Sequence, residues 1–380
     1  MRIAIDAHAI GKHLTGNEVY VRSLLNALAG HSRGCEILAY HSDPNARTLV
    51  PRRIATHRVA ANPFLRLGFD LASRVRRDRP DLLHVQYTAP LSCSVPVVTT
   101  IHDVSYLEHP EYFTHRRAWQ LKLTVGSTAR RSARILTGTE AARNSILKVY
   151  PHLDESKVVV VPLAASPEFR PVPRESAVAA VRARHAIGGP FILSVGDIQP
   201  RKNHIGLIRA FARMVHAYPQ LKQDLVLVGK PTWFSAKVQA AARESGAAER
   251  IQFLGFVSDA DLLQLYNACD CFVFPSFYEG FGLPALESMA CGRAVVCSDA
   301  SALPEVVDGA AILFDPYAID DMVRAIADVL IDGELRGRME RLGIQRAAHF
   351  NWRKTAQQTL QAFEEVLAQP PAYVPAMVPR

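Results

Sequence analysis

Residues 272–299, FVFPSFYEGFGLPALESMACGRAVVCSD, contain a strand, a glycine-rich loop, a short helix and a second strand. The apolar run 271–275 predicts a buried strand. Pro284 favours a helix start, because its fixed φ suits the first helical position and its missing N–H costs nothing there. Gly292 predicts the end of that helix, and 294–298 predicts the next strand. The segment is therefore typical of a parallel α/β sheet.

The loop between this strand and helix is a candidate phosphate site. A glycine loop that leads into a helix presents free N–H groups and the positive end of the helix dipole, so we expect the backbone around Phe281, Gly282 and Leu283 to bind a diphosphate. Glu279 precedes the glycines, and we place Glu287 in the first helical turn. Because carboxylates repel a phosphate, we expect both to accept hydrogen bonds from sugar and ribose hydroxyls. Taken singly, each is as plausible as a solvated acid.

The alternation of strands and helices extends in both directions from this segment. Short apolar strands separated by amphipathic helices predict parallel sheets covered on both faces. The strands that we predict are 2–7, 36–40, 82–86, 97–101 and 134–137 in the first half, and 191–195, 224–228, 251–253, 271–275, 294–298 and 312–314 in the second.

The chain is too long, at 380 residues, for one hydrophobic core. A proline-rich stretch, PLAASPEFRPVPRE, separates the two halves and predicts an interdomain connection. Two doubly wound sheets in tandem place their ligand crevices at the carboxyl ends of the strands, so the cleft between them is the expected active site. We divide the chain into a first domain at 1–165, a linker at 166–189, a second domain at 190–351, a helix at 352–368 that packs back on the first domain, and a frayed tail at 369–380.

Charge is distributed unevenly, although the overall composition is that of a soluble protein. Residues 1–170 carry 23 Lys and Arg against 14 Asp and Glu, whereas residues 171–380 carry 21 against 22. An anionic partner is expected for the basic half, and no nucleic-acid-binding signature is present. A membrane surface or a pyrophosphate-bearing acceptor fits best, and a merely solvated basic face remains the alternative. The N-terminus does not read as a signal peptide, so we expect a cytoplasmic protein, peripheral on the inner face of the membrane.

Several further motifs complete a resemblance to the family 4, or group 1, glycosyltransferases. The segment Glu279–Glu287 resembles their E-x7-E region, and the similarity covers most of the chain. The matching stretches are TGNEVYVRSLLNAL (15–28), TIHDVSYLEHPEYF (100–113), ILTGTEAARNSI (135–146), SVGDIQPRKN (194–203), LVGK (227–230), IQFLGFVSDADLLQLYNACDCFVFPS (251–276) and ALPEVVDGAAILFDP (302–316). The resemblance implies the GT-B fold, in which two Rossmann-like domains face each other across a cleft.

The resemblance also assigns roles to residues of the second domain. Glu279 corresponds to the glutamate that contacts the transferred sugar, and Glu287 to the one that holds the ribose hydroxyls. Arg201 and Lys202 follow the first strand of this domain, where cations neutralise the leaving nucleoside diphosphate. Many family members carry an arginine directly after the glycine that ends this strand, but Asp197 stands there in this sequence.

In the first domain the resemblance is looser. Gly16 corresponds to the glycine loop that approaches the donor phosphates, although TGNE replaces a double glycine. His102 and Asp103 end a strand where the acceptor should enter, and the family places a histidine there. Thr139 caps a helix and is expected to face the cleft, and Glu305 is a second-tier candidate.

Together these features predict a retaining glycosyltransferase that moves a hexose from a nucleotide sugar to a glycan or a lipid-pyrophosphate-linked acceptor. GDP-mannose is the preferred donor, because HDVSYLEHPEYF and QPRKN look most like bacterial mannosyltransferases of polysaccharide assembly. No cofactor or metal is expected. The alternatives are a GT-B sugar-nucleotide epimerase and a non-catalytic nucleotide-sugar-binding protein; a nicotinamide enzyme is disfavoured because no G-x-G-x-x-G follows the first strand.

Overall fold

Two parallel sheets form the frame of the molecule in a computed structural model that describes residues 1–12, 15–31 and 34–368. The first sheet has the order β3-β2-β1-β4-β5-β6-β7 and the second the order β10-β9-β8-β11-β12-β13, when the strands are numbered along the chain. The strands are β1 (Arg2–Asp6), β2 (Glu36–His41), β3 (Ala55–Arg58), β4 (Leu82–Gln86), β5 (Val97–Thr100), β6 (Arg134–Thr137), β7 (Val158–Val160), β8 (Phe191–Val195), β9 (Asp224–Val228), β10 (Ile251–Gly255), β11 (Cys271–Phe274), β12 (Val295–Ser298) and β13 (Ile312–Phe314).

Helices cover both faces of each sheet. The α-helices are α1 (Thr15–His31), α2 (Ala46–Leu49), α3 (Pro63–Leu65), α4 (Leu71–Asp78), α5 (Ser105–Glu108), α6 (His115–Arg131), α7 (Glu140–Val149), α8 (Arg174–His185), α9 (His204–Ala217), α10 (Ser235–Glu244), α11 (Asp259–Ala268), α12 (Leu283–Ala290), α13 (Leu303–Val307), α14 (Ile319–Ile331), α15 (Gly333–Ala348) and α16 (Trp352–Ala368). A π-helical segment, Arg66–Asp70, leads into α4, and 3-10 turns occur at Pro110–Tyr112, Glu155–Lys157, Pro200–Lys202 and Ala248–Arg250.

The expected pair of Rossmann-like domains is confirmed, with two strands more than the sequence predicted. β3 and β7 lie at the two edges of the first sheet. β3 has the sequence ATHR and no fully buried side chain, and β7 is only three residues long. β3 therefore lacks an apolar run, and the valine run of β7 is too short to stand out as a buried central strand.

The ligand crevice of each sheet lies where the strand order reverses. In the first sheet β1 pairs with both β2 and β4, so the loops after β1 and β4 diverge at this point. In the second sheet β8 pairs with both β9 and β11. The loops after these strands carry most of the residues singled out from the sequence.

Two segments outside the sheets connect the domains. Helix α8 packs against α11 of the second domain, with Ala177 and Val181 in its core. Helix α16 crosses to the first domain and packs on α1, with Trp352 and Phe363 in the core cluster that contains Ile3 and Ile5. The predicted tail at 369–380 lies outside the described residues. In the described part of the chain, no helix has both the length and the hydropathy required of a membrane span.

Candidate active site

The loop 275–282 connects β11 to α12 and has the predicted form of a glycine loop at a helix start. Gly282 has φ +102°, and a Cβ there would lie 2.5 Å from Cδ2 of Leu303, so only glycine fits without strain. Helix α12 begins at Leu283, one residue before Pro284. The positive end of the dipole of α12 therefore lies at the end of the glycine loop, as a diphosphate site requires.

The position that we predicted for Glu287 is wrong. It is the fifth residue of α12 and belongs to the second turn, because the helix starts at Leu283 and one turn takes 3.6 residues. Its side chain is buried, and its Oε2 accepts a hydrogen bond of 3.0 Å from the hydroxyl of Tyr266 on α11. Burial raises the pKa of Glu287 to about 7.

Glu279 forms the centre of a buried charge cluster. Its Oε1 lies 2.5 Å from Nζ of Lys202, and its Oε2 lies 2.9 Å from Nη1 of Arg201. Burial by itself would raise the pKa of Glu279, but the two cations outweigh it and lower the pKa to about 2. The carboxylate is thus ionised at all physiological pH values. Arg201, Lys202 and Glu279 together carry a formal charge of +1, although burial lowers the pKa of Lys202 against the opposing effect of Glu279. The carboxylates of Asp103 and Asp197 also act on Arg201 and Lys202 respectively.

Main-chain contacts hold this cluster in place. The 3-10 turn Pro200–Lys202 follows β8, and the carbonyl of Arg201 accepts a hydrogen bond from the N–H of Phe277 at 2.8 Å. The Arg201 guanidinium also donates to the carbonyl of Tyr278 at 3.0 Å. The ammonium of Lys202 lies 4.7 Å from the centre of the Phe274 ring. The cations are therefore fixed before any ligand arrives, which is the condition for electrostatic catalysis.

The wall opposite this cluster is formed by the loop after β5. The carbonyl of His102 packs directly on Gly280, where a Cβ would come within 1.9 Å of the oxygen. The His102 ring is edge-on to Tyr20, with ring centres 4.7 Å apart, and burial lowers the pKa of His102 to about 4. Asp103 accepts hydrogen bonds from Ser105 at the start of α5. The structure thus brings His102 and the E-x7-E loop together across the cleft.

Thr139 contributes to the domain contact. Its hydroxyl caps α7 and donates a 3.0 Å hydrogen bond to the carbonyl of Gly280. Glu305 lies beside it, and its two carboxylate oxygens accept hydrogen bonds of 2.9 Å from the N–H groups of Glu140 and Ala141. Both side chains therefore connect the two domains at the start of α7.

The residues whose backbone we expect near the diphosphate have different surroundings in the two domains. Gly16 is exposed in the first turn of α1, and a Cβ there would meet no atom within 4 Å. The Phe281 side chain lies in the contact between the domains: a Cβ on Gly138 would come within 3.0 Å of its ring, and the ring of Phe350 lies 5.7 Å from it, centre to centre. Leu283 packs beside it against the first-domain core. Packing in this structure does not require glycine at residue 16. A requirement for glycine there would have to come from a ligand that approaches the backbone closely.

Comparisons with known proteins agree with this geometry. A model of the family "Glycosyl transferases group 1" matches residues 180–346, and a model of "Glycosyltransferase Family 4" matches residues 14–169. O-antigen chain mannosyltransferase B of Escherichia coli is 32% identical, with 70% of each chain covered. The chain belongs to the group 1 glycosyltransferases.

Alignments with other relatives of this glycosyltransferase cover different shares of the two proteins. The serotype-specific mannosyltransferase WbdA of Escherichia coli is 30% identical over 62% of this chain but only 29% of its own. The D-inositol 3-phosphate glycosyltransferase of Stackebrandtia nassauensis is 28% identical, with 93% of this chain and 87% of that protein covered.

Solved structures share the fold. Sucrose-phosphate synthase from Thermosynechococcus elongatus has a TM-score of 0.77 and 20% identity, with 97% of this chain and 99% of that chain covered. Anabaena HepE, solved in complex with UDP-glucose, has a TM-score of 0.76 and 20% identity, with 96% and 100% covered.

Sequence reasoning did not identify several residues of the glycosyltransferase site. Tyr266 holds Glu287, and the hydroxyl of Ser301 bonds to both the N–H and the carbonyl of Glu279 at 2.7 and 2.8 Å. Ser301 has φ +52°, a conformation rare outside glycine. Gln86 ends β4 and bonds to His102. Of these three residues, only Gln86 could have been noticed in the sequence, since a polar side chain is unusual in a fully buried strand.

The buried carboxyl of Glu287 predicts a pH-dependent stability. The folded state retains the proton up to about pH 7, whereas the unfolded chain releases it near 4.5. The contribution of Glu287 to the free energy of unfolding should therefore fall by about 3 kcal/mol as the pH rises from about 4.5 to about 7. Buried His84, His102 and His204, whose pKa values burial lowers, act in the opposite direction in both proteins, so the test is the difference between wild type and Glu287→Gln. Glu287→Gln keeps an oxygen for Tyr266 and removes this loss, which urea unfolding at pH 5 and pH 8 measures. The exposed Glu249→Gln is the control, and parallel pH profiles for wild type and Glu287→Gln would refute the prediction.

Proposed function

We propose that this glycosyltransferase is a retaining mannosyltransferase that uses GDP-mannose and a glycan or lipid-pyrophosphate-linked acceptor. The observation that carries the proposal is the buried cluster of Glu279, Arg201 and Lys202 beside a glycine loop at a helix start, opposite His102. The choice of mannose is supported by the names of the Escherichia coli relatives.

The donor occupies the second domain in this proposal. The N–H groups at the start of α12 and the exposed first turn of α1 at Gly16 approach the diphosphate from both sides. Arg201 and Lys202 add positive charge, and Glu279 accepts hydrogen bonds from the sugar. Glu287 accepts from the ribose hydroxyls, for which its shared hydrogen bond with Tyr266 orients it.

The reaction is a front-face substitution. The bond between the anomeric carbon and the diphosphate oxygen breaks, and the acceptor hydroxyl oxygen bonds to the same face of that carbon. The proton of the hydroxyl passes to the departing phosphate oxygen. Arg201 and Lys202 stabilise the charge that develops on the leaving group, while His102 and Asp103 position the reacting sugar and the acceptor.

Positive charge for the leaving group is supplied by side chains in this scheme, so a metal ion is not required. Transfer rates in EDTA should equal those in its absence. A rate that falls in EDTA and returns with Mg²⁺ or Mn²⁺ would contradict this part of the proposal.

The decisive experiment combines binding and turnover. A thermal-shift screen with GDP-mannose, UDP-glucose and their nucleotides identifies the donor, since a ligand at 100 times its dissociation constant stabilises by about 2.7 kcal/mol. Radiolabelled transfer to a lipid-linked oligosaccharide, followed by NMR of the anomeric proton, then tests the reaction and its retention. A rearranged sugar without acceptor would indicate an epimerase, binding without turnover a non-catalytic protein, and inverted product would exclude retention.

An exposed apolar surface on the first domain supports the membrane part of the proposal. Its side chains are 57–75% exposed and lie on α3, the π-helical segment, the loop after β4 and α6: Phe64, Leu65, Phe69, Leu91, Trp119 and Leu123. Hydrogen bonds connect these segments, because the N–H of Leu91 donates to the carbonyl of Leu67, and Arg131 donates to the carbonyl of Leu91. Exposed Arg116 and Lys122 flank this surface.

Binding to anionic vesicles follows from this arrangement. Each cation near an anionic surface contributes about 1 kcal/mol, and inserted apolar side chains add to it. Trp119→Ser with Leu123→Ser should reduce co-sedimentation with phosphatidylglycerol vesicles at least tenfold. Trp233→Ser on the second domain, where the tryptophan is 58% exposed against 66% for Trp119, should not. Equal sedimentation of all three proteins, or none with the wild type at low salt, would remove the membrane from the proposal.

A further inference from the structure

Gln86 occupies a junction between three parts of the cleft. It is the last residue of β4, whose five residues are all buried, and it is itself 5% exposed. Its Oε1 lies 2.9 Å from Nε2 of His102, and its Nε2 donates a 3.2 Å hydrogen bond to the carbonyl of Asn17. Asn17 follows Gly16 in the first turn of α1.

These two contacts determine where the proton of His102 resides. A backbone carbonyl only accepts hydrogen bonds, so the amide group of Gln86 must present its NH₂ to Asn17. The amide oxygen then faces His102, and that oxygen also only accepts. Nε2 of His102 must therefore carry the hydrogen. Because burial keeps the ring neutral, with a pKa of about 4, Nδ1 has a free lone pair.

We propose that Gln86 is a positioning residue that holds His102 as the Nε2–H tautomer, so that Nδ1 is an acceptor for a hydroxyl of the sugar or of the acceptor substrate. The role rests on the proposed sugar transfer. Gln86 also ties the first turn of α1 to this histidine, which couples the donor-phosphate side of the cleft to the reacting centre.

The other groups around His102 do not impose the opposite tautomer. Tyr20 and Tyr87 present ring edges or faces, with centres 4.7 and 5.7 Å from that of His102. Asp103 accepts a hydrogen bond from Ser105. Its charge raises the pKa of His102, but burial lowers that pKa by more. His84 bonds through its own Nε2 to Thr100 and, with a pKa of about 3, is neutral.

Two substitutions separate the functions of Gln86. Gln86→Leu removes both hydrogen bonds. Gln86→Glu keeps an acceptor for His102, loses the donor to Asn17 and adds a negative charge that raises the pKa of the histidine. Gln86→Leu should therefore lower kcat at least tenfold. Gln86→Glu should recover most of kcat at pH 9 and lose it toward pH 6, where the imidazole protonates. The wild type shares only the change caused by Glu287, whose pKa is about 7, so the ratio of the kcat of Gln86→Glu to that of the wild type should fall toward pH 6.

The tautomer itself is measured without substrate, by ¹⁵N NMR of histidine-labelled protein, with the His102 signals assigned by their loss in His102→Asn. We expect the proton on Nε2 in the wild type and in Gln86→Glu, and a tautomer ratio about fivefold lower in Gln86→Leu, which is the worth of one hydrogen bond. A proton on Nδ1 in the wild type would overturn the inference even if Gln86→Leu does not fold. So would an unchanged tautomer ratio in a folded Gln86→Leu. A correct tautomer in a protein that transfers no sugar would instead refute the proposed function alone.

Discussion

Lys202→Ala should reduce turnover by about 10²–10³-fold while leaving the protein folded. Lys202 and Arg201 are the cations that the structure places next to the glycine loop, and both are already oriented by Glu279. A leaving diphosphate gains negative charge as the glycosidic bond breaks, so a fixed cation in a buried site stabilises the transition state more than the bound donor. The loss should appear in kcat rather than in KM.

Two further variants separate charge from packing. Lys202→Met keeps the aliphatic stem on the Phe274 ring but removes the charge, and it should lose as much activity as Lys202→Ala. Lys222→Ala removes an exposed lysine at the amino end of β9, on the opposite edge of the sheet, and should behave as wild type. Steady-state kinetics and thermal unfolding provide the readouts. Lys202→Ala with more than about a tenth of wild-type turnover would show that another group supplies the charge.

Gly280→Ala should be nearly inactive although it adds only one methyl group. The new Cβ would lie 1.9 Å from the carbonyl oxygen of His102 and 2.7 Å from its carbon, both of them backbone atoms of the other domain. The clash can be relieved only if the two domains separate by about 1 Å or more. Such a displacement of the donor wall from the opposite wall typically costs about 10²-fold in rate.

Because the clash lies between the two domains, Gly280→Ala should affect the rate more than nucleotide binding. In the proposed complex the start of α12, Arg201 and Lys202 belong to the second domain, and only the turn at Gly16 approaches the diphosphate from the first. Nucleotide affinity measured by calorimetry should therefore fall much less than the rate. Gly30→Ala is the matched control, since a Cβ there meets no atom within 4 Å and alanine favours the helix. If Gly280→Ala turned over at the wild-type rate, the close approach of His102 to Gly280 would not be a feature of the reacting complex.

These predictions depend on features that the sequence alone predicts to different degrees. The glycine loop, Pro284 and the apolar strands on either side were recognisable because each is a local requirement of backbone geometry. The same holds for the helices α7, α11, α14 and α16, whose apolar periodicity the sequence displays directly. The edge strands β3 and β7 were not predicted, because β3 has no apolar run and the valine run of β7 is only three residues long.

The sequence by itself determined the family, the two-domain α/β architecture and the class of residues in the cleft, since motif spacing and hydrophobic period are properties of neighbours along the chain. Tertiary structure alone decided which side chains meet. Glu279 is 77 residues from Lys202, and Gly280 touches His102 across 178 positions of sequence. The sequence predicts Glu287 in the first turn of a helix, but it lies in the second turn and is buried against Tyr266 with a raised pKa. Such pairings arise from how helices and sheets pack, and burial, which sets the pKa of each group, exists only once they have packed.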